Sequence, residues 1–243
     1  MKIKLGYGDC LELMKKIPDG IVDMCLTDPP YGTTACKWDN VIPFEPMWEE
    51  LKRIVKPNGA ICLFGSEPFS SALRMSNIKM FKYDWIWNKK IPSNIATAKY
   101  QPMKYHEIIS VFYSKNRYFP QRIPRSESGS KRASYGHKYH KNAGGEHIKI
   151  NKSTNLSVKY NEKTKYPSSI LEYARARGLH PTQKPVPLLE YLIKTYTLEG
   201  ETVLDFTMGS GSTGVAAKNL NRSFIGIEKD ENYYNIAKER IGK

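Results

Sequence analysis

The sequence predicts an α/β fold, with a mostly parallel central sheet, helices on both faces and a basic insertion. Three observations predict it. Short apolar runs alternate with amphipathic helical stretches, the pattern of parallel strands joined by crossover helices. One apolar run, Ile21-Val22-Asp23-Met24-Cys25-Leu26, leads straight into Thr27-Asp28-Pro29-Pro30-Tyr31-Gly32. Near the other end, Glu201-Thr202-Val203-Leu204-Asp205 precedes Gly209-Ser210-Gly211-Ser212-Thr213-Gly214, a glycine turn between a strand and a helix.

Lys2 to Leu5 reads as a short strand that turns at Gly6-Tyr7-Gly8-Asp9. Asp9 is placed to cap a helix, with Glu12 as its capping-box partner. Leu11, Met14 and Ile17 give that helix its apolar face, and Pro18-Asp19-Gly20 stops it. The central strand follows and ends at Pro29-Pro30, since neither proline can donate to a ladder. That leaves one carboxylate and one phenol ring on a stiff backbone at the sheet edge where α/β folds hold ligands. Asp28 and the Pro29 carbonyl could accept hydrogen bonds from an exocyclic amine, and Tyr31 could stack on a flat ring. The competing reading is a strand-ending turn with a half-buried tyrosine.

Residues 33–40 form a polar loop whose Trp38 either covers the pocket as a lid, the reading favoured by its place directly after the site, or packs under the loop. Glu45 to Lys56 is an amphipathic helix with Met47, Trp48, Leu51, Ile54 and Val55 on one face, terminated by Pro57-Asn58-Gly59. Ala60 to Phe64 is a buried strand. Gly65-Ser66-Glu67 opens a helix carrying Phe69, Leu73 and Met75. Tyr83 to Trp87 and Ile108 to Tyr113 are further strands, separated by a long polar stretch of the kind that carries function or moves.

The chain has 243 residues and a formal charge of +14. Between Ser114 and Gly178 stand fifteen Lys/Arg against four Asp/Glu, so +11 of that charge lies there. Tyr118, Tyr135, Tyr139, Tyr160 and Tyr166 interleave with the basic residues. Such a segment is drawn to phosphate and can touch bases; the alternative is a solvated insertion. Residues 1–113 and 179–243 then form one domain, with 114–178 inserted. After it, the helix opened by His180-Pro181-Thr182-Gln183-Lys184-Pro185 carries Leu188, Leu189, Leu192, Ile193 and Tyr196 on its core face. Ser223 to Glu228 is a strand ending in an acid, and Glu231 to Ile241 a last helix.

Cys10, Cys25, Cys36 and Cys62 form no C-x-x-C pair. That argues against a zinc site and for a reducing cytoplasm. No membrane span or signal-peptide core is visible.

Gly209-x-Gly211-x-x-Gly214 admits two ligands, a nicotinamide dinucleotide or S-adenosylmethionine. The turn's late position and the absence of a hydride-relay set disfavour the first. S-adenosylmethionine has no phosphate; Asp205 can meet its ammonium and Glu228 its ribose.

The ordered set Asp28-Pro29-Pro30-Tyr31, basic segment, His180 to Pro185, and Asp205 to Gly214 resembles the β-class DNA amino-methyltransferases over nearly the whole chain. The resemblance implies a Rossmann-like methyltransferase fold and a target-recognition role for the insertion. It implies S-adenosylmethionine as cofactor, held at its amino-acid end by Thr182, Gln183, Lys184 and the glycine loop with Thr207, Gly209, Ser210, Gly211, Ser212 and Thr213. Asp9 and Cys10 match the segment near the cofactor's adenine. Thr207 departs from the pattern, standing where the family commonly has an aromatic residue. The implied reaction is methyl transfer to the N6 of a flipped adenine in double-stranded DNA, because Asp at the first position resembles the adenine enzymes. No metal is required. Cytosine N4, RNA, and a non-catalytic DNA-binding protein on the same fold are the alternatives. A homodimer and a cognate restriction endonuclease are left open as partners.

Overall fold

The computed structural model describes residues 1–33, 39–115, 117–130, 163–176, 178 and 183–242. Trp38, Cys36, Tyr135, Tyr139, Tyr160, His180, Pro181 and Thr182 lie outside the described residues. In chain order the strands are β1 (Ile3–Tyr7), β2 (Val22–Thr27), β3 (Val55–Gly65), β4 (Phe81–Asn88), β5 (His106–Phe112), β6 (Ile123–Pro124), β7 (Thr164–Lys165), β8 (Ile170–Glu172), β9 (Thr202–Asp205) and β10 (Ser223–Glu228). The helices around the sheet, among the described residues, are α1 (Cys10–Met14), α2 (Phe44–Ile54), α3 (Phe69–Ser76), α4 (Val186–Tyr196), α5 (Ser212–Asn219) and α6 (Glu231–Gly242).

Two compact units result, one of Met1–Phe119 with Ser169–Lys243 and one of Pro120–Ser168. In the second, β6 and β7 pair antiparallel, Ile123 opposite Lys165. There the Arg122 guanidinium lies 4.4 Å from the Tyr166 ring centroid, and its Nε donates to Thr164 Oγ1 at 2.8 Å.

The first unit is built on an eight-stranded sheet in the order β1-β10-β9-β2-β3-β5-β4-β8. From β1 to β3 the neighbours are parallel. β5 runs antiparallel to both β3 and β4, because residues 89–105 join β4 to β5 without a crossover helix. This reversal matters for function: it brings the start of β5 to the edge where β2 and β3 end.

β2 is buried along its whole length, as expected of a parallel strand covered on both faces. Met24 and Leu26 point into a core with Leu188, Leu192, Ala216 and Ala237 of α4, α5 and α6. Cys25 points the other way, into a core with Met14, Met47, Leu51 and Leu73 of α1, α2 and α3. Asp23 is the one charged residue of β2. It accepts from Lys56 Nζ at 2.8 Å and from the Thr202 N–H at 3.0 Å, which offsets the cost of burying its charge.

Three local expectations are corrected. α2 stops at Ile54, and β3 begins at once, so Pro57-Asn58-Gly59 lies within a strand irregularity. A Cβ at Gly59 would stand 2.8 Å from the Asp23 carbonyl oxygen, so glycine permits that close approach. α3 starts only at Phe69, and Met75 is 69% exposed, because two residues beyond Leu73 is the opposite face of a helix. Asp9 does cap α1, accepting from Leu11 N–H at 2.9 Å and Glu12 N–H at 3.3 Å. The Glu12 carboxylate, however, turns to Lys15 Nζ at 2.8 Å. No helix among the described residues is long and apolar enough to cross a membrane.

Candidate active site

β2 and β9 are adjacent and parallel, with Cys25 opposite Leu204. Asp28 and Asp205 therefore leave the sheet side by side. Two hydroxyls tie these ends together: Thr27 Oγ1 accepts from the Phe206 N–H at 3.2 Å, and Thr207 Oγ1 donates to the Asp28 carbonyl at 3.0 Å. Around them opens a cavity of about 620 Å³. Of the residues singled out in the sequence, Asp28, Pro29, Pro30, Tyr31, Asp9, Cys10, Gln183, Lys184, Asp205, Thr207, Gly209, Ser210, Ser212, Thr213 and Glu228 all line it.

The Pro-Pro-Tyr-Gly turn is held by a residue the sequence reading passed over. The Asp39 carboxylate accepts from the N–H groups of Tyr31 at 2.7 Å, Gly32 at 2.9 Å and Thr33 at 2.9 Å. Gly32 adopts φ 68°, a left-handed conformation that glycine takes without strain. The Tyr31 ring packs 5.1 Å from that of Phe69, and its hydroxyl donates to Asp28 Oδ1.

Asp28 belongs to a chain of alternating charge. Lys184 Nζ donates to Asp28 Oδ2 and lies 3.3 Å from Glu107 Oε2. Lys89 Nζ donates to Glu107 Oε1 at 3.2 Å and to Ser93 Oγ at 3.0 Å. Lys184 thus reaches the cavity at Asp28-Pro29-Pro30-Tyr31, above the Phe64 ring at 5.1 Å. Burial pushes the Asp28 carboxyl above the ordinary range; Lys184 opposes this and Glu107 adds to it. Burial and then the charges of Asp28 and Glu107 push the Tyr31 hydroxyl well above the usual phenol range, so it stays a donor. Burial also works against ionised Glu107, but Lys184 and Lys89 outweigh it and hold that carboxyl low. Burial disfavours the charged Lys184, yet Asp28 and Glu107 together hold it above the usual lysine range.

The glycine turn is held differently. Gly209 N–H donates to Glu228 Oε2 at 2.8 Å, while Glu228 Oε1 accepts from the N–H groups of Lys229 at 2.9 Å and Asp230 at 2.8 Å. The acid that ends β10 is therefore fixed in orientation. Arg240 reaches from α6 to Ser210 Oγ at 3.0 Å and Ser212 Oγ at 3.3 Å. Gly211 is the one predicted residue among those described that is not on the cavity wall. It precedes α5 with φ 79°, and a Cβ there would stand 2.9 Å from the Ala237 Cβ. Its place is in the packing of the turn against α6. Asp205 is buried, and its Oδ1 accepts from the Thr207 N–H at 3.2 Å. Burial pushes its carboxyl up to about 7, against hydrogen bonds from Thr213, Thr207 and Thr27.

Glu107, Lys89, Asp39 and Arg240 were not foreseen. For Glu107 a signal existed: an acid at the head of an apolar strand. Only the direction of β5 makes it point to this edge.

A family model described as DNA methylase, for N6/N4 methyltransferases, matches residues 22–239. The chain is 29% identical over 265 residues to the type II methyltransferase M2.LlaDCHI of Lactococcus lactis subsp. cremoris, covering 98% of this chain and 89% of that protein. It is 28% identical over 259 residues to the type II methyltransferase M.HpaI of Haemophilus parainfluenzae, covering 99% and 74% respectively. The crystal structure of the M1.HpyAVI–SAM complex superposes with a TM-score of 0.65 at 25% identity, over 99% of this chain and 100% of that one. The cytosine-N4-specific PvuII DNA methyltransferase shares the fold, with a TM-score of 0.70 at 15% identity over 99% and 86%.

Proposed function

Since the chain belongs to the N6/N4 DNA methylase family, we propose that it transfers methyl from S-adenosylmethionine to the exocyclic N6 of an adenine flipped out of duplex DNA. The observation that carries this reading is the shared wall: Asp28 and Asp205 end adjacent strands and line one cavity. About 620 Å³ falls in the usual range for small-molecule sites.

The donor set suits S-adenosylmethionine better than a dinucleotide. Asp205 and Glu228 present carboxylates where a pyrophosphate would need N–H donors. Among the described residues Asp205 has no ion pair, which suits it to an incoming ammonium. Glu228, with its oxygens already oriented, suits a pair of ribose hydroxyls. Asp9 and Cys10 would flank the adenine; Thr182, Gln183 and the turn from Thr207 to Thr213 would hold the amino-acid end. When bound, the cofactor supplies a methyl carbon made electrophilic by its sulfonium.

The chain's own residues act on the other reactant. An exocyclic amine is a weak nucleophile, because its lone pair is delocalised into the ring, and it is unreachable inside the stack. Tyr31 gives the extruded base an aromatic platform. Asp28 and the Pro29 carbonyl accept the amine's two N–H groups, which favours a pyramidal nitrogen and stabilises the positive charge it gains with the methyl. The Tyr31 hydroxyl now occupies Asp28 Oδ1. Engaging the base means releasing that oxygen to the amine. Adenine is favoured over cytosine by Asp at the first position of the tetrapeptide. Residues 114–178, with their +11 charge, are the proposed DNA-contacting insertion.

The test is direct. Unmethylated DNA is incubated with the protein and S-adenosylmethionine, digested and analysed for modified nucleosides, and its sites are mapped by modified-base sequencing. N6-methyladenine at a defined sequence is the expected product. N4-methylcytosine alone overturns the base assignment, and methylation of RNA but not DNA overturns the substrate.

A further inference from the structure

We propose that Lys184, braced by Glu107 and Lys89, is a positioning residue for the Asp28 carboxylate, fixing one oxygen so that the other is presented to the substrate amine, and is not a ligand of the methyl donor. This inference rests on the methyl-transfer reading of the site.

The geometry comes from four separate elements. Asp28 follows β2, Lys184 precedes α4, Glu107 is the second residue of β5 and Lys89 follows β4. Their charges alternate along the chain Asp28–Lys184–Glu107–Lys89. Lys184 is only 8% exposed, and its ammonium already serves two carboxylates. Turning it toward a cofactor would leave a buried carboxylate unpaired, which is strongly unfavourable. With Lys184 on Oδ2, the oxygen left for exchange is Oδ1, now held by the weaker, neutral Tyr31 hydroxyl.

One ammonium shared by two carboxylates makes Glu107 a competitor of Asp28 as well as a brace. Among the described residues, the other groups facing this cluster are Tyr31 and Asp205 beside Asp28, Asp39 beside Tyr31, and Arg175 beside Lys89. Removing Lys184 leaves Asp28 and Glu107 facing each other with no cation between them, Lys89 staying on Glu107, so Asp28 holds its proton to higher pH. Replacing Glu107 by glutamine leaves the ammonium wholly to Asp28, so Asp28 ionises at lower pH. The two variants must therefore move the acid limb of the reaction in opposite directions.

The experiment uses the full chain with Lys184→Met and Glu107→Gln, each checked for folding by circular dichroism. Glu107→Gln keeps the size and an acceptor oxygen, so it remains informative if Lys184→Met folds poorly. Single-turnover methyl transfer is followed against pH. The acid limb is expected to rise by about one pH unit in Lys184→Met and to fall by up to about one unit in Glu107→Gln. Titration of the Asp28 carboxyl carbon by ¹³C NMR in the donor-free protein should shift the same two ways. S-adenosylmethionine affinity, by calorimetry, should stay within about twofold in Lys184→Met, since the ion pairs lost at the ammonium are those to Asp28 and Glu107 and neither belongs to the donor. Limbs that move together or stay put, or donor affinity lost by tenfold or more, overturn the proposal. Wild-type protein that methylates no DNA fails the methyl-transfer reading instead, so the two failures are distinct.

Discussion

Two carboxylates end adjacent strands of the sheet, and the protein treats them in opposite ways. Asp28 brings its counter-ion with it: Lys184 sits on one oxygen and Tyr31 on the other. Asp205 is set deeper, among the described residues is met only by hydroxyl and backbone donors, and its carboxyl is driven up to about 7. A buried acid left without a cation is a cost to the fold. The asymmetry makes sense if one acid works on a neutral amine and must be ionised beforehand, while the other receives a cation with its ligand. The sharpest way to break that comparison is to remove each acid in turn.

Asp28→Ala should cost the most. Losing the acceptor aimed at the developing charge should lower single-turnover methyl transfer by ~10³-fold or more. DNA affinity, by fluorescence anisotropy, should stay within about threefold. A variant that keeps a tenth of wild-type activity would show that Asp28 is not the acceptor.

Asp205→Asn should act on the donor instead. A lost charge-assisted contact corresponds to ~10- to 100-fold weaker S-adenosylmethionine binding. In the wild type, binding should weaken as pH falls below about 7, because the protonated carboxyl cannot pair an ammonium. The amide variant should lose this dependence. Stability should move the other way. Burial lifts the folded-state carboxyl above the ordinary aspartate range, so the native state holds the proton more tightly than the unfolded chain. Donor-free protein should then lose stability as pH rises from about 4 through about 7. Thermal melts across that window should show the slope in wild type and its loss in Asp205→Asn.

Substitutions in the insertion should leave both acids alone. Arg122→Ala and Arg125→Ala, in the Pro120–Ser168 unit, should each weaken DNA binding several-fold and reduce the salt slope by about one where the residue meets a phosphate. Donor affinity should not change. A change confined to donor binding would remove the insertion from DNA recognition.

Much of this layout was readable before any coordinates. β2, β9 and β10 are buried on both faces, so they appear as apolar runs whatever their partners, and the residues after them are easily located. What could not be read was direction and distance. β6, β7 and β8 are two or three residues long, too short for any periodicity. Glu107 looked like the edge of a polar loop because nothing local shows that β5 runs antiparallel. The resemblance places Lys184 with its sequence neighbours at the cofactor, and nothing local shows that its ammonium reaches Asp28, 156 positions away. Gly211 satisfied the glycine spacing, but its missing side chain makes room for Ala237 and not for a ligand. Spacing identifies turns; it does not say which side of the turn is the crowded one.

Thr207 joins the two ends being compared, and its removal should have the smallest effect. It replaces the aromatic residue common in the family, and its hydroxyl donates to the Asp28 carbonyl at 3.0 Å. The hydroxyl contact couples the glycine turn to the tetrapeptide through backbone, while the residue's own N–H, which Thr207→Val keeps, donates to Asp205 Oδ1 at 3.2 Å. Thr207→Val keeps the shape and removes the donor, at a stability cost of about 1 kcal/mol. If the strut sets the distance between the amine acceptor and the methyl donor, the maximal rate should fall about threefold while S-adenosylmethionine affinity stays within about twofold, since misplacement by a fraction of an ångström acts on the aligned state. Thr207→Phe, which restores the family residue but also breaks the strut, should show the same rate loss. Should donor affinity fall instead and the rate hold, Thr207 belongs to the cofactor wall alone, and the two strand ends are aligned by the sheet without it.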